Sequence, residues 1–158
     1  MVVGLTADTI AFRRATAADL QTIVVLLADD PLGRERETLG TQLDSRYRDA
    51  FTAIDRDPNQ LLAVAESGGQ VIGVLQLSFI PGLTRRGMWR GQIEGVRVAA
   101  GERGSGVGRV MLQWAIGQCR NRGCGLVQLT WDERRSDAHR FYEALGFQAT
   151  HRGYKLSL

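Results

Sequence analysis

The chain is short of cysteine and has no long apolar run, and each shortage excludes a class of protein. Its two cysteines, Cys119 and Cys124, form no CxxC pair and have no histidine at metal-ligand spacing, so neither a disulfide framework nor a zinc site is predicted. We expect both to be small buried side chains in a reducing compartment, rather than redox or nucleophilic groups. No run approaches the roughly 18 apolar residues that span a bilayer, and the N-terminal residues lack the pattern of a signal peptide. A cytoplasmic protein without a membrane partner is expected.

The composition fits one folded domain that spans the whole chain, residues 1–158. It is 44% hydrophobic and 23% charged, with 19 glycines and 3 prolines, and shows no low-complexity segment. The net charge of +3 comes mostly from arginine and makes the surface mildly attractive to anions. Basic residues are not interleaved with aromatics in a run, so nucleic acid is not an expected partner.

Hydrophobic periodicity predicts a mixed order of strands and helices in the first half. A strand over residues 10–14 precedes a helix that opens at Thr16 and is stopped at residues 29–31. Residues 32–45 carry no clear pattern, and a second helix follows, ending before residues 57–58. Segments 61–65 and 71–77 flank a Gly-Gly turn and are predicted to pair as antiparallel strands.

The second half is predicted to contain a crossover unit. A strand over residues 92–98, with Gly95 as a candidate bulge, leads through a glycine loop into an amphipathic helix that ends near Gly123. A strand over residues 126–131 follows and should run parallel to the first. A last helix near residues 136–145 is closed by Gly146, and terminal strands are expected at residues 148–150 and 154–156.

The glycine loop Arg103-Gly-Ser-Gly-Val-Gly108 is the strongest chemical signal. Unpaired amides and partial positive charge at a helix N-terminus favour a phosphate group, and glycines let the backbone approach it. Arg103 or Arg109 could add charge-assisted hydrogen bonds. A Walker A loop is excluded because Val107 and Gly108 follow Gly106, and a dinucleotide fingerprint is excluded because Arg109 occupies the place of its third glycine.

A second motif follows the glycine loop: the segment Asp137-Ala-His-Arg-Phe-Tyr-Glu-Ala-Leu-Gly-Phe147, in the last predicted helix. In this order the two motifs resemble those of the GNAT superfamily of N-acetyltransferases, because Arg103-Gly-Ser-Gly-Val-Gly108 matches its R/Q-x-x-G-x-G/A acetyl-CoA motif and the later segment resembles its A-x-x-F-Y-x-x-x-G-F helix. The resemblance runs from about residue 9 to the end. It implies an α/β fold of the α+β type: a central, mostly antiparallel sheet with a parallel pair splayed at the cofactor site, flanked by about four helices.

The resemblance also implies a binding site for acetyl-CoA as co-substrate, without a metal. Backbone groups of the strand before the loop, at Val96 and Val98, would pair with the pantetheine arm. The pyrophosphate would be held by the main-chain amides of the loop: Arg103, Gly104, Ser105, Gly106, Val107, Gly108 and Arg109. Many family members carry asparagine after the fifth strand, whereas this chain has Asp132. Its carboxylate would keep the cofactor contact, or Ser136 would replace it.

Catalysis requires a neutral amine, a stabilised oxyanion and a proton for the departing thiolate. The resemblance makes Glu94 the candidate base, the Val98 amide the candidate oxyanion donor and Tyr142 the candidate acid. Two other interpretations stay open at this stage. Tyr142 could be a buried aromatic with a satisfied hydroxyl, and Glu94 could be a solvated residue or the ion-pair partner of Arg97 or Arg90.

The sequence leaves the acceptor amine open, together with the acyl chain length and the oligomeric state. A small-molecule amine is preferred to a protein tail because no extra module for docking a protein is present. Arg85, Arg86 and Arg90 favour an acidic or phosphorylated amine unless they form only a solvated basic loop. A non-catalytic acyl-CoA sensor and a protein N-acetyltransferase are the alternative functions, and a homodimer, common among such enzymes, is not decided.

Overall fold

The computed structural model describes residues 10–135 and 137–158, and its first part follows the predicted order of elements except for one additional helix, α2 (Pro31–Arg36). Strand β1 (Ala11–Arg14) is followed by a 3₁₀ turn (Ala17–Asp19) and helix α1 (Leu20–Ala28). Helices α2 and α3 (Ser45–Arg56) come next. The N-terminal residues 1–9, on which the signal-peptide expectation rests, lie outside the described residues.

The sheet has five strands in the order β1-β2-β3-β4-β5. Strands β2 (Gln60–Ser67), β3 (Gln70–Ile80) and β4 (Arg90–Val98) extend it by antiparallel pairing, and β5 (Leu126–Leu129) runs parallel to β4. A short left-handed turn, α4 (Thr84–Gly87), joins β3 to β4, and α5 (Val107–Asn121) and α6 (Ala138–Ala144) complete the order. The mixed sheet and the parallel pair confirm the predicted fold class, and the short α2 and α4 add to the four helices expected.

The described residues form two compact units, the first ending at Gln128 and the second running from Leu129 to Leu158. In the first unit, α1 packs on one face of the sheet around a buried cluster. The cluster consists of Ala15, Ile23, Leu26, Leu62, Val64 and Val74. These apolar residues recur at helical spacing on α1 and at every second position on β2, which is why the two elements bury a common surface.

Helix α5 packs closely on the opposite face because β3 and β4 present glycines to it. A Cβ atom at Gly73 would lie 2.6 Å from the sulfur of Met111, and one at Gly91 would overlap the sulfur of Cys119. Both α5 side chains are fully buried. The glycines therefore fix the height of α5 above the sheet and with it the position of the loop that precedes the helix.

Helix α2 was not predicted, because Asp30 and Pro31 suggested only the end of α1. Asp30 is instead the N-cap of the next helix, where its Oδ1 accepts from the Gly33 amide at 2.7 Å, and Pro31 occupies the first turn. Proline is favoured at that position because its missing N–H is not needed there. The same two residues thus end one helix and begin another.

Gly95 marks a β-bulge in β4, as the sequence predicted. Val74 lies opposite Arg97 and Gln76 lies opposite Glu94, so one β3 residue faces two β4 residues. Gly95 has a φ of 60°, a left-handed conformation that glycine adopts without strain. The extra residue places Glu94 and Arg97, three positions apart, on the same face of the sheet.

In the second unit, α6 ends as its sequence predicted. Gly146 has a φ of 91°, its amide donates to the Glu143 carbonyl at 2.9 Å, and the Phe147 amide donates to the Tyr142 carbonyl at 3.1 Å. These bonds form a complete Schellman motif, and the rings of Tyr142 and Phe147 pack edge to face with centroids 6.0 Å apart.

The predicted terminal strands at residues 148–150 and 154–156 are wrong, and β5 ends at Leu129 rather than residue 131. An alternating pattern produces a strand only where a neighbouring backbone supplies hydrogen bonds. Within the part of the chain that the structure describes, residues 147–158 join no sheet, and Tyr154 and Leu156 are 95% and 86% exposed.

The start of α1 is held by an ion-pair network around Asp19. Arg13 donates two hydrogen bonds to its carboxylate, at 2.7 and 2.9 Å, and also pairs with Glu66. The Thr16 amide donates to the same carboxylate at 2.7 Å. The hydrogen bonds from Arg13, together with those from Thr16, hold the pKa of Asp19 well below its ordinary value, against the opposing effect of burial.

We expect Asp19→Ala to lower the free energy of unfolding by about 1–2 kcal/mol at pH 7, since it removes the charged acceptor shared by Arg13 and the Thr16 amide. The folded-state pKa lies below the unfolded value of about 3.9, so this contribution is present above about pH 4 and is lost as the pH falls further. Urea unfolding at pH 7 and pH 3 measures the difference. An equal deficit at both pH values would contradict the assignment.

Candidate active site

The glycine loop presents a row of backbone amides at the start of α5. The first hydrogen bond into the helix runs from the Val110 amide to the Gly106 carbonyl at 3.2 Å, so the amides of Val107, Gly108 and Arg109 have no acceptor among the described residues. Gly104 and Gly106 have φ angles of 78° and 92°, and a Cβ atom at either would point into open space. The loop therefore fits an anion bound by main-chain donors.

The two arginines that flank the loop differ in what they contact. The Arg103 guanidinium donates to the Asp29 carbonyl at 2.7 Å and to its carboxylate at 3.0 Å, and its Nε donates to the Val98 carbonyl at 3.2 Å. Arg103 thereby joins the end of α1 to the end of β4. Arg109 is exposed and has no ion pair among the described residues, so its side chain is the one available to a bound phosphate.

The main chain of Val98 faces away from β3. The Ala99 amide donates to the Ile72 carbonyl at 2.8 Å, so the next pair, Val98 and Gly73, is a non-hydrogen-bonded pair of the antiparallel ladder. The Val98 carbonyl accordingly accepts from Arg103 on the other side. Because β5 has only four residues and begins beside Trp89, it does not reach this part of β4.

Glu94 lies on β4 opposite Gln76, with its carboxylate exposed. No hydrogen bond or ion pair involves it among the described residues, so the interpretation that it pairs with Arg97 or Arg90 is wrong. Arg97 pairs instead with Asp30, Nε to Oδ2 at 3.0 Å, across from the bulge. A Cβ atom at Gly95 would lie 3.8 Å from Leu27, so the end of α1 borders the same stretch of β4.

A polar region that the sequence did not reveal lies on the α1 face of the sheet, beyond the buried cluster. We call it the glutamine stripe; its members are Gln60, Gln76, Ser78, Gln92, Glu94 and Gln128. The strand registers place these residues side by side on four adjacent strands. The spacing Gln76-x-Ser78 and Gln92-x-Glu94 was a signal of a shared face, but only the registers bring the strands' polar residues together.

Tyr142 and Asp132 belong to the second unit. Tyr142 is half-buried on α6 beside Phe141 and Phe147, with ring centroids 5.3 and 6.0 Å away. The Asp132 carboxylate accepts from the guanidinium of Arg134 at 2.8 and 2.9 Å and from its amide at 3.1 Å. The residue that departs from the family's asparagine thus stabilises its own turn. Ser136, the suggested substitute, lies outside the described residues.

The structure confirms the buried position predicted for Cys119, whereas Cys124 is only half-buried. Both are free; Cys119 is fully buried, and burial raises the pKa of its thiol to about 11, while burial also raises the pKa of Cys124. Both thiols are therefore held in the unreactive protonated form. Among the described residues, no cluster of three or more metal-ligating side chains occurs, and no helix is long and apolar enough to span a membrane.

Comparison with known proteins gives consistent matches. Residues 24–147 match the model of the acetyltransferase (GNAT) family. The chain is 32% identical over 140 residues to aminoalkylphosphonate N-acetyltransferase of Salmonella typhimurium, covering 88% of this chain and 85% of that one. It is 36% identical over 90 residues to glucosamine 6-phosphate N-acetyltransferase of Trypanosoma brucei brucei, covering 57% and 59%.

A solved structure is also similar over nearly the whole chain. It is described as a transcriptional regulator from Bacillus halodurans, with 47% identity, a TM-score of 0.92, and coverage of 94% of this chain and 99% of that one. The family match spans most of the chain and includes both the glycine loop and the α6 motif. The chain therefore belongs to the GNAT family of acetyltransferases.

Proposed function

We propose that the protein transfers the acetyl group of acetyl-CoA to the primary amine of a small molecule, by direct attack in a ternary complex. The observation that carries this is the pair of main-chain features at the end of β4: the outward-facing Val98 peptide and, a few residues later, the unpaired amides at the start of α5. The amides suit the pyrophosphate, and the Val98 strand edge suits the pantetheine arm.

Three groups of the protein, on Val98, Glu94 and Tyr142, supply the chemistry. Bound acetyl-CoA provides a thioester carbonyl for the amine to attack. The Val98 N–H donates to the developing oxyanion, and Glu94 accepts the amine proton. Glu94 lies four residues before Val98 on β4, a span of roughly 13 Å, which is too long for direct contact with an amine at the thioester. We therefore propose that this proton passes through water. Tyr142 donates a proton to the departing thiolate, an assignment that rests on its motif.

Two observations favour a small amine and catalysis over the alternatives. The two relatives named above for their substrates are N-acetyltransferases of small amines, which supports a small acceptor rather than a protein tail. The exposed, unpaired carboxylate of Glu94 is suited to act as a general base, a role that a sensor binding only acyl-CoA would not need. Asp132 is proposed to border the cofactor through its turn rather than through a free carboxylate.

The test has a binding part and a turnover part. We expect acetyl-CoA and CoA, but not ATP or NAD, to stabilise the protein against heat, by about 2.7 kcal/mol at a hundredfold excess over Kd. Thiol release with a panel of small amines should then give intersecting initial-rate patterns. Absence of any stabilisation by CoA species would refute the cofactor site, whereas binding without thiol release from any amine would leave the sensor function.

A further inference from the structure

The glutamine stripe is a preorganised set of hydrogen-bonding groups. Gln60 Oε1 accepts from Gln76 Nε2 at 3.0 Å and from Ser78 Oγ at 2.9 Å, and Gln128 Nε2 donates to Gln92 Oε1 at 2.7 Å. Ser78 is buried and the glutamines are half-buried. Amides fixed in this way by their neighbours keep further donors and acceptors in set positions, which suits recognition of a polar ligand.

The β4 row of the stripe ends in the negative charge of Glu94 on one side and is followed by the positive charge of Arg90 on the other. Glu94, Gln92 and Arg90 alternate along the strand, so their side chains share the face opposite α5. Their partners on β3 are Gln76, Ser78 and Ile80. A carboxylate for an amine and a guanidinium for an anion are thus separated by one glutamine.

The Nε atom of Arg90 is a buried donor without a partner. It has no hydrogen-bond acceptor among the described residues. A buried unpaired donor is costly, so a guanidinium that turned its Nε–H toward a ligand oxygen would lose that cost. Gly82 lies beside the guanidinium: a Cβ atom there would be 3.6 Å from its NH1.

Two further arginines lie in the turn that leads into β4, four and five residues before Arg90. Arg85 and Arg86 occupy the turn α4 with φ angles of 53° and 61°, a left-handed conformation that is unfavourable for arginine. Neither they nor Arg90 form an ion pair among the described residues, whereas Arg13, Arg97 and Arg103 all bind carboxylates. Three arginines without an ion pair thus lie within six residues of the chain, at the start of β4 and in the turn before it.

We propose that Arg90, with Gln92, binds the phosphate or phosphonate group of the acceptor while the acceptor's amine lies at Glu94. This inference rests on the proposed function and adds the substrate class, a small amine with a phosphorus oxyanion at its other end. A guanidinium fork matches two oxygens of such a group, and three nearby cations suit a charge of about −1.5 to −2 better than a single carboxylate. Between the ends, the amides of the stripe meet uncharged polar groups.

The Cα atoms of Arg90 and Glu94 are four residues apart along a strand, roughly 13 Å, and their side chains share one face of it. The amine and the anion are thus held several bonds apart. Acceptors in which more atoms separate the two groups should bind better than the shortest ones.

The experiment compares acceptors that differ by the anion. Glucosamine 6-phosphate is paired with glucosamine, and 3-aminopropylphosphonate with propylamine. For each pair, the ratio of kcat/KM values is measured in the wild type, in Arg90→Gln and Arg90→Lys, and in Arg120→Gln as control. Arg120 is an exposed residue of α5, on the opposite face of the sheet, with no ion pair among the described residues. The thermal shift caused by each amine in the presence of CoA gives a readout independent of turnover.

We expect the wild type to prefer the phosphate- or phosphonate-bearing member of at least one pair. Arg90→Gln should lower that preference about 10- to 100-fold, Arg90→Lys should retain part of it, and Arg120→Gln should retain all of it. Equal ratios and equal thermal shifts in the wild type, or a preference that survives Arg90→Gln, would overturn the subsite. Failure of the acetyltransferase function is separate, because it appears as no thiol release from any of the four amines.

Discussion

Replacing Glu94 with glutamine is expected to lower kcat/KM for amine acetylation by about 10²- to 10⁴-fold, the usual contribution of a general base. The acetyl-CoA Kd should not change, because Glu94 lies on β4 before the bulge, away from the loop amides. A lysine-like amine has a pKa of about 10.4, so without the base the rate depends on the small neutral fraction. The defect should therefore shrink as the pH rises toward that value.

Rate profiles from pH 6 to 10, together with acetyl-CoA titrations, measure both effects. Glu94→Asp should recover part of the rate, since it keeps a carboxylate on the same face. Glu35→Gln is the matched control, because Glu35 is an exposed glutamate of α2 without an ion pair among the described residues. A Glu94→Gln enzyme with wild-type kcat/KM at neutral pH would remove Glu94 from the mechanism.

Replacing Gly106 with valine is expected to weaken acetyl-CoA binding, raising Kd by about 100-fold or more. Gly106 has a φ of 92°, and forcing an L-residue into the left-handed region costs about 1–2 kcal/mol. A side chain there would also project into the open space beside the unpaired amides, where an anion would lie. Calorimetric titration with acetyl-CoA measures the loss.

Gly117 provides the control on the same helix. A Cβ atom at Gly117 meets nothing within 4 Å, and its φ is not positive. Gly117→Ala should leave acetyl-CoA binding unchanged and raise the free energy of unfolding by about 0.5–1 kcal/mol, because alanine is the better helix former. If Gly106→Val bound acetyl-CoA as tightly as Gly117→Ala, the loop would not be the pyrophosphate site.

Features that depend on neighbours in the sequence were predictable. The glycine loop, the face of α5 that holds Met111 and Cys119, and the Schellman end of α6 all follow from patterns a few residues long. The bulge at Gly95 belongs with them, since glycine inside an alternating strand is itself the signal. Asp30 and Pro31 carried a local signal too, but it has two meanings, the end of α1 and the start of α2.

Features that depend on distant residues were not predictable. Arg97 pairs with Asp30 rather than with Glu94 because the bulge lies close in space to the α1–α2 junction. Arg97 and Asp30 are 67 positions apart in sequence. The glutamine stripe exists only once four strands are in register. In the terminal segments, by contrast, strands were predicted that the structure does not contain. An alternating pattern carries no information on whether a neighbouring strand is free to pair with it.

The bulge also makes the number of residues in β4 as important as their identity. In an uninterrupted strand, Glu94 and Arg97 would point to opposite faces, and the single inserted residue restores them to one side. Losing or gaining one residue there would reverse the phase of every side chain on one flank, sending either Glu94 or Arg97 toward α5. Related chains should therefore keep the length of β4 and tolerate insertions and deletions only elsewhere, such as in the connection between α2 and α3.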